Sequence, residues 1–216
     1  MSPALDTFCV TCPQLNRARP VCTFIGARII HRMVDGPLGG IAARVSVCTR
    51  CGLCEGRTNA VPGTGPASAR AILVGEAPGR EEDLQGKPFV GGAGRVLDKE
   101  LERAGIPRST VYITNVVKCR PPKNRVPSDE ERDACIEYLK EEISVINPRI
   151  VCILGATALR SLLGLGGITG IRGTIINQDN TDYLVSLHPA ATMYRRDLLP
   201  AFRRDMKKLA GMILST

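Results

Sequence analysis

"ARAILVGEAPGREEDLQGKPFVGGAG" (residues 69–94) runs an apolar segment straight into a glycine-rich loop, and the fold can be read outward from that junction. The short aliphatic run, bounded by Gly, Ser and Pro, predicts a buried strand. A glycine-rich turn after a strand commonly cradles phosphate on backbone N–H groups. This loop instead carries four acids, Glu76, Glu81, Glu82 and Asp83, in a chain whose formal net charge is +8. Acids beside the first glycines repel phosphate, and the loop has no GxGxxG pattern, so the carboxylates must serve some other chemistry.

Beyond the loop, strand and helix signals alternate. The stretch 91–106 predicts a helix with Val96, Leu97 and Leu101 on one face and Gly105 as its stop. The β-branched stretch 110–119 predicts a second strand. Ser128 and Glu131 have capping-box spacing and open a helix with Ile136, Leu139, Ile143 and Ile146 at helical intervals. "RIVCILGA" (149–156) predicts a third strand, followed by a short helix near 157–163. "GTIINQ" and "DYLVSLHP" supply the last strands, and a helix over about 197–212 ends the pattern. Such alternation implies an α/β protein with a mainly parallel sheet covered on both faces. Ligands of such sheets bind beyond the carboxyl ends of the strands, here the GEAPG loop, "TN", "KC", "GA" and "HP".

The chain of 216 residues, 44% apolar, suits one cored domain. No apolar run approaches the roughly 18 residues of a membrane span, and no signal-peptide pattern stands at the start. The expectation is a cytoplasmic protein with no membrane partner. Basic residues cluster in 117–125, which holds four bases and no acid, and in 194–208, with six bases and two acids, whereas 128–142 is acidic. Net positive charge fits a polyanionic partner, although any one cluster can equally be a solvated face. Residues 1–40 fit none of the strand–helix pattern and are expected to be an N-terminal extension preceding a domain over 41–216. Cys9, Cys12, Cys22 and His31 within it could bind zinc, but the spacing is irregular, and Met33 offers an alternative start.

Nine cysteines without a secretion signal favour metal or cluster ligation over disulfides. "CTRCGLC" supplies Cys48, Cys51 and Cys54, and Cys119 and Cys135 stand apart from it. One CxxC plus two isolated cysteines argues against a two-knuckle zinc ribbon. Four thiolates suit structural zinc or an iron–sulfur cluster, with Cys54 a competing ligand. Cys119 and Cys135 could equally be small buried hydrophobes, and Cys152 inside an apolar strand is best read that way.

Taken in order, "VGEAPGREED", "GKPFVGGAG", "VYITNVVKCRPPKNRVP", the later cysteine and "SLHPA" resemble family 4 uracil-DNA glycosylase, the iron–sulfur type of thermophilic bacteria and archaea. The resemblance covers about residues 45–212. It implies a three-layer α/β/α fold with a central four-stranded, mainly parallel sheet, and an enzyme that hydrolyses the N-glycosidic bond of uracil in DNA to begin base-excision repair. It assigns a [4Fe–4S] cluster to Cys48, Cys51, Cys119 and Cys135, with Cys54 outside the ligand set.

The chemistry of the residues agrees with that assignment. A base must leave the stack to be attacked. Phe89 offers a flat stacking face, in a chain with four Phe and no Trp. Asn115 offers a donor and an acceptor, which match uracil O4 and N3–H and mismatch cytosine. His188, in the HP motif, is the resemblance's donor to uracil O2 as charge builds on the leaving base in a dissociative reaction. A cation-like sugar calls for carboxylates, and Glu76 and Glu82 are the candidates to stabilise it or orient water. Other uracil glycosylases use an aspartate where this chain has Ala77, which leaves the water-handling residue open. Glu82 could instead guard the C5 edge. Backbone N–H groups near Ala77 and Gly79 are further contacts, while Glu81 and Asp83 are expected to face solvent or cap the turn.

DNA contacts are expected from Lys118, Arg120, Lys123 and Arg125, and from Tyr194 and Arg195 after His188, where the family inserts into the minor groove. The partner is uracil-containing DNA, single- or double-stranded, bound by a monomer. A sliding clamp is a further candidate partner, although no clamp-binding peptide stands out. A relative that captures DNA covalently uses a loop histidine, and residues 116–127 contain none. A nucleotide-binding reductase and a glycosylase of broader base specificity are the remaining alternatives.

Overall fold

The computed structural model describes residues 36–214. Cys9, Cys12, Cys22, His31 and Met33, with most of the expected extension, lie outside the described residues. Helix α1 (Pro37–Ser46) straddles the expected boundary at residue 40 and buries Ile41 and Val45.

Strands β1 (Ala71–Gly75), β2 (Tyr112–Asn115), β3 (Ile150–Leu154) and β5 (Thr181–Ser186) run parallel, and β4 (Ile175–Gln178) pairs antiparallel with β5. The spatial order is β2-β1-β3-β5-β4. The four parallel strands are thus joined by a fifth at one edge. Between them lie α2 (Arg80–Gln85), α3 (Gly92–Arg103), α4 (Asp129–Ile146), α5 (Ala156–Leu163) and α6 (Ile168–Ile171), and α7 (Pro189–Tyr194) and α8 (Leu199–Leu214) follow β5.

The central runs are apolar at every position because both faces of the sheet are covered. Ile72, Val74, Val151, Ile153 and Val185 point to one side, where they pack with Ile41 and Val45 of α1, Leu139 of α4 and Leu159 of α5. Leu73, Ile113, Cys152, Leu154 and Leu184 alternate to the other, against Leu97 and Leu101 of α3 and Phe202, Met206 and Leu209 of α8. This is a three-layer α/β/α arrangement. Cys152 is fully buried in β3, and burial pushes its thiol far up, as befits a small core residue.

The capping box of α4 forms as its spacing predicts. Ser128 Oγ accepts from Glu131 N at 3.3 Å, and Glu131 Oε2 accepts from Ser128 N at 2.8 Å. The second strand is shorter than the β-branched run 110–119 suggests. Its register with β1 stops at Gly75↔Asn115; Val116 N and Val117 N still donate to Gly75 O and Glu76 O, and residues 116–119 run on as buried irregular chain. Chain order reverses between β1 and β3: β2 lies on one side of β1, and the chain returns across it to β3. A crevice opens beyond the strand ends at such a reversal.

Candidate active site and cysteine pocket

A cavity of about 420 Å³ occupies this crevice. It brings together Glu76, Ala77, Gly79, Glu82, Phe89, Asn115, Arg125, His188 and Tyr194, from segments more than 100 residues apart. Glu76 leaves the end of β1, and Thr157 Oγ1 of α5 donates to its Oε2, bridging the β1/β3 seam.

Asn115 is the last residue of β2 and is 2% exposed. Its Oδ1 is buried and has no hydrogen-bond partner. An orphaned acceptor of this kind is costly unless a ligand satisfies it. Phe89 stands beside it with φ of +53°, a backbone region that a bulky residue occupies only under constraint. Two glycines permit that geometry. A Cβ at Gly94 would strike the Phe89 carbonyl, and one at Gly75 would come within 2.5 Å of Phe89 Cζ and also collide with Asn115 Oδ1.

The ring of His188 lies 5.7 Å from that of Phe89. His188 Nδ1 accepts from Ala190 N at 3.2 Å, so the neutral ring carries its proton on Nε2 as a donor. Enclosure of the ring pushes its pKa down to about 4, with nearby Glu82 pulling the other way.

Glu82 and Asp83 are tied into backbone. Glu82 Oε2 accepts from Gly79 N at 3.1 Å, and Oε1 accepts from Val90 N at 3.0 Å and Gly91 N at 2.7 Å. One carboxylate therefore closes the loop across its two ends. Asp83, expected to face solvent or cap its turn, is instead 4% exposed, and its Oδ1 accepts from Thr58 N and Asn59 N. Glu81 is exposed. The acidity of this loop thus has a structural component that sequence alone did not separate from chemistry.

The basic candidates divide. Lys118 corrects the expectation of a DNA contact: it is 1% exposed, and its Nζ is used by Glu142, Thr114 and Asn115 inside the protein. Lys123 and Arg125 are exposed, Arg125 in a bidentate pair with Glu131. Arg120 donates to Asn124 Oδ1 at 2.7 Å. Tyr194 is 87% exposed at the cavity mouth, and Arg195 is exposed and paired with Asp197. Sequence reasoning missed Thr157, Asn124 and Met193 beside the cavity, none of which belongs to a chemical motif.

On the far side of Lys118, a second small pocket is lined by Cys48, Cys51, Cys54, Cys119 and Cys135, with Tyr138 and Arg50 over it. Arg57 Nη1 donates to Cys119 Sγ at 3.1 Å and to Cys48 O at 2.9 Å, and Lys118 N donates to Cys135 Sγ at 3.3 Å. Burial pushes the Cys119 thiol up and that of Cys135 to about 11, against the pull of Arg57 and Lys118 respectively. No three His, Cys, Asp or Glu side chains among the described residues form a group that could hold a single metal ion.

A family profile described as the uracil DNA glycosylase superfamily matches residues 62–210. The chain belongs to that superfamily. Among similar proteins is the type-4 uracil-DNA glycosylase of Thermotoga maritima, 44% identical over 80% of this chain and 93% of its own. That of Archaeoglobus fulgidus is 39% identical over 81% of this chain and 92% of its own. A type-5 uracil-DNA glycosylase of Pyrobaculum aerophilum is 36% identical over 60% and 65%. Family 4 membership, expected from the loop and strand-end motifs, is borne out, and with it an enzyme that hydrolyses N-glycosyl bonds. Among the described residues no helix is long and apolar enough to cross a membrane.

Proposed function

We propose that the enzyme flips uracil out of DNA into this cavity, stacks it on Phe89, reads its edge with Asn115 and hydrolyses its glycosidic bond to leave an abasic site. The observation that carries this reading is the orphaned Oδ1 of Asn115, buried beside an aromatic ring and facing the cavity. A base presenting an N–H there satisfies it, whereas cytosine N3 presents a lone pair.

The bond breaks dissociatively. Negative charge builds on the base, and the Nε2–H of neutral His188 donates to uracil O2. Positive character on the sugar is met by Glu76, which orients the attacking water while Thr157 holds its other oxygen. Glu82, its two oxygens engaged by three backbone N–H groups, holds the loop in shape. Backbone at Ala77 and Gly79 completes the wall. Arg125 and Tyr194, which line the cavity, and Arg120, Lys123 and Arg195 beside them in sequence contact the DNA backbone and the gap left by the flipped base.

Cys48, Cys51, Cys119 and Cys135 would hold a [4Fe–4S] cluster. The pocket suits it because each cysteine of such a cluster binds its own iron, so the sulfurs need not converge on one point, and N–H groups of Arg57 and Lys118 already aim at two of them. Held by these four residues, such a cluster would tie the 48–51 segment to α4 and to the chain after β2.

The test is excision from a uracil-containing oligonucleotide, read as alkali-sensitive strand breaks. Asn115→Ala is expected to lower the single-turnover rate about 100-fold or more while leaving the melting temperature near that of the parent. Full activity in that variant would remove the reading.

A further inference from the structure

Lys118 and Glu142 form an ion pair sealed from solvent, with side chains 2% and 0% exposed and an Nζ–Oε2 distance of 2.7 Å. Burying two charges is expensive, and a pair that served stability alone could be exchanged for apolar groups. This pair is not isolated. Lys118 Nζ also donates to Thr114 Oγ1 at 2.5 Å and to the carbonyl of Asn115 at 2.9 Å. Glu142 Oε2 accepts from Thr114 Oγ1 as well, and its Oε1 accepts from Tyr112 OH and Gly63 N, each at 3.2 Å. Three of the four residues of β2 are therefore gripped by one buried network.

Asn115 is where the grip matters. The β1/β2 register ends at the Gly75↔Asn115 pair, and the N–H side of the next peptide is still tied to β1, Val116 N donating to Gly75 O at 3.0 Å, which leaves its other side, the Asn115 carbonyl, facing away from β1. Lys118 Nζ holds that carbonyl with a charge-assisted hydrogen bond, so the peptide is fixed from both sides. The lysine is itself held through its main chain, its N–H by Cys135 Sγ and its carbonyl by Val61 N at 2.7 Å. The side-chain amide of Asn115, one methylene beyond this anchored backbone, receives no hydrogen bond at Oδ1 to fix it.

We propose that the Lys118–Glu142 pair is a positioning device for Asn115. By fixing the Asn115 carbonyl it aims the amide at the flipped base before the base arrives. Lys118 and Glu142 are positioning residues and touch neither base nor sugar. The inference rests on Asn115 as the edge reader.

The experiment is a mutant cycle. Lys118→Met combined with Glu142→Gln removes both charges while keeping volume and an acceptor for Tyr112 and Gly63. Single-turnover uracil excision is measured for this variant with Asn115 present and with Asn115→Ala, alongside inhibition by free uracil. With Asn115 present, the pair variant is expected to lose about 100-fold, the scale of a misplacement of about 1 Å. In the Asn115→Ala background it is expected to lose less than about threefold, because the residue it positions is gone. Inhibition by free uracil should weaken in the pair variant as it does in Asn115→Ala, which a purely structural role would not produce. Equal losses in both backgrounds, or parent kinetics in a folded pair variant, would overturn the proposal. If the pair variant fails to fold, Glu142→Asp, which keeps the charge and withdraws the carboxylate by one methylene, enters the same cycle with the same criteria. Full activity in Asn115→Ala alone would instead remove the edge-reader reading and this inference with it.

Discussion

Glu82 lines the cavity as closely as Glu76 does, yet the two carboxylates should fail in different ways when neutralised. Glu82→Gln replaces one carboxylate oxygen by an NH₂ group that faces backbone N–H donors. Either the Gly79 side or the Val90–Gly91 side then loses its acceptor. Hydrogen bonds to a charged acceptor contribute about 1.5–3 kcal/mol each, and neighbouring bonds do not add fully. With one or two lost and a donor–donor clash introduced, the loss of stability should be about 3–4 kcal/mol. For a chain of this size that corresponds to a fall in melting temperature of about 6–16 °C. Excision should fall too, because the loop carrying Glu76 and the one carrying Phe89 lose their common tie. Glu76→Gln keeps an oxygen for Thr157, so melting should move by less than about 3 °C while single-turnover excision falls about 100-fold or more. Differential scanning calorimetry beside single-turnover kinetics reads both quantities. An unchanged melting point with lost excision in Glu82→Gln would refute the loop-brace argument and return Glu82 to the reacting atoms.

Three further outcomes follow from the same geometry. His188 is depressed to about 4 from an ordinary 6.5, so its neutral donor form persists well below neutrality. The His188-dependent acid limb of the single-turnover rate should bend near pH 4 and not near 6.5, and His188-linked stability, full above pH 6.5, should be lost as pH falls through about 4. Lys123→Ala should reduce the slope of log K against log salt by about 1 in DNA-binding titrations, whereas Lys118→Met should leave the slope unchanged because Lys118 reaches no phosphate. Cys119→Ala should abolish the visible absorption of an iron–sulfur cluster and lower iron content, and a retained spectrum would remove Cys119 from the ligand set.

Much of this architecture is legible in the sequence because apolar runs in a doubly covered sheet carry strong signals. The runs 71–74 and 150–154 read as strands and are strands, and the Ser128–Glu131 spacing caps α4 as its chemistry dictates. Glu76, Asn115 and His188 stand at or just past strand ends, where ligands of such sheets bind, and all three line one cavity. What sequence could not supply is pairing across distance. Lys118 sits in a run of four bases and reads as a phosphate contact, but its partner Glu142 lies 24 residues away in an acidic helix that reads as solvated. Asp83 misled for the same reason: the backbone groups it satisfies, at residues 58 and 59, carry no charge to betray them. The run 110–119 overshot its strand because β-branching reports burial: residues 116–119 stay buried past the strand's end, where Val116 and Val117 keep single backbone bonds to Gly75 and Glu76.

The left-handed turn at Phe89 has a kinetic consequence. Its ring is set by the backbone at φ +53° and by the glycine packed on its carbonyl, so folding, not DNA, puts the platform in place. On the proposed reading, a base swinging out of the duplex meets a surface already formed. On the proposed reading, the time taken to find a lesion is governed by how readily each base pair opens. Any advantage of a uracil opposite guanine, which opens more easily than a matched pair, would on that reading come from the helix it leaves and not from the protein it enters.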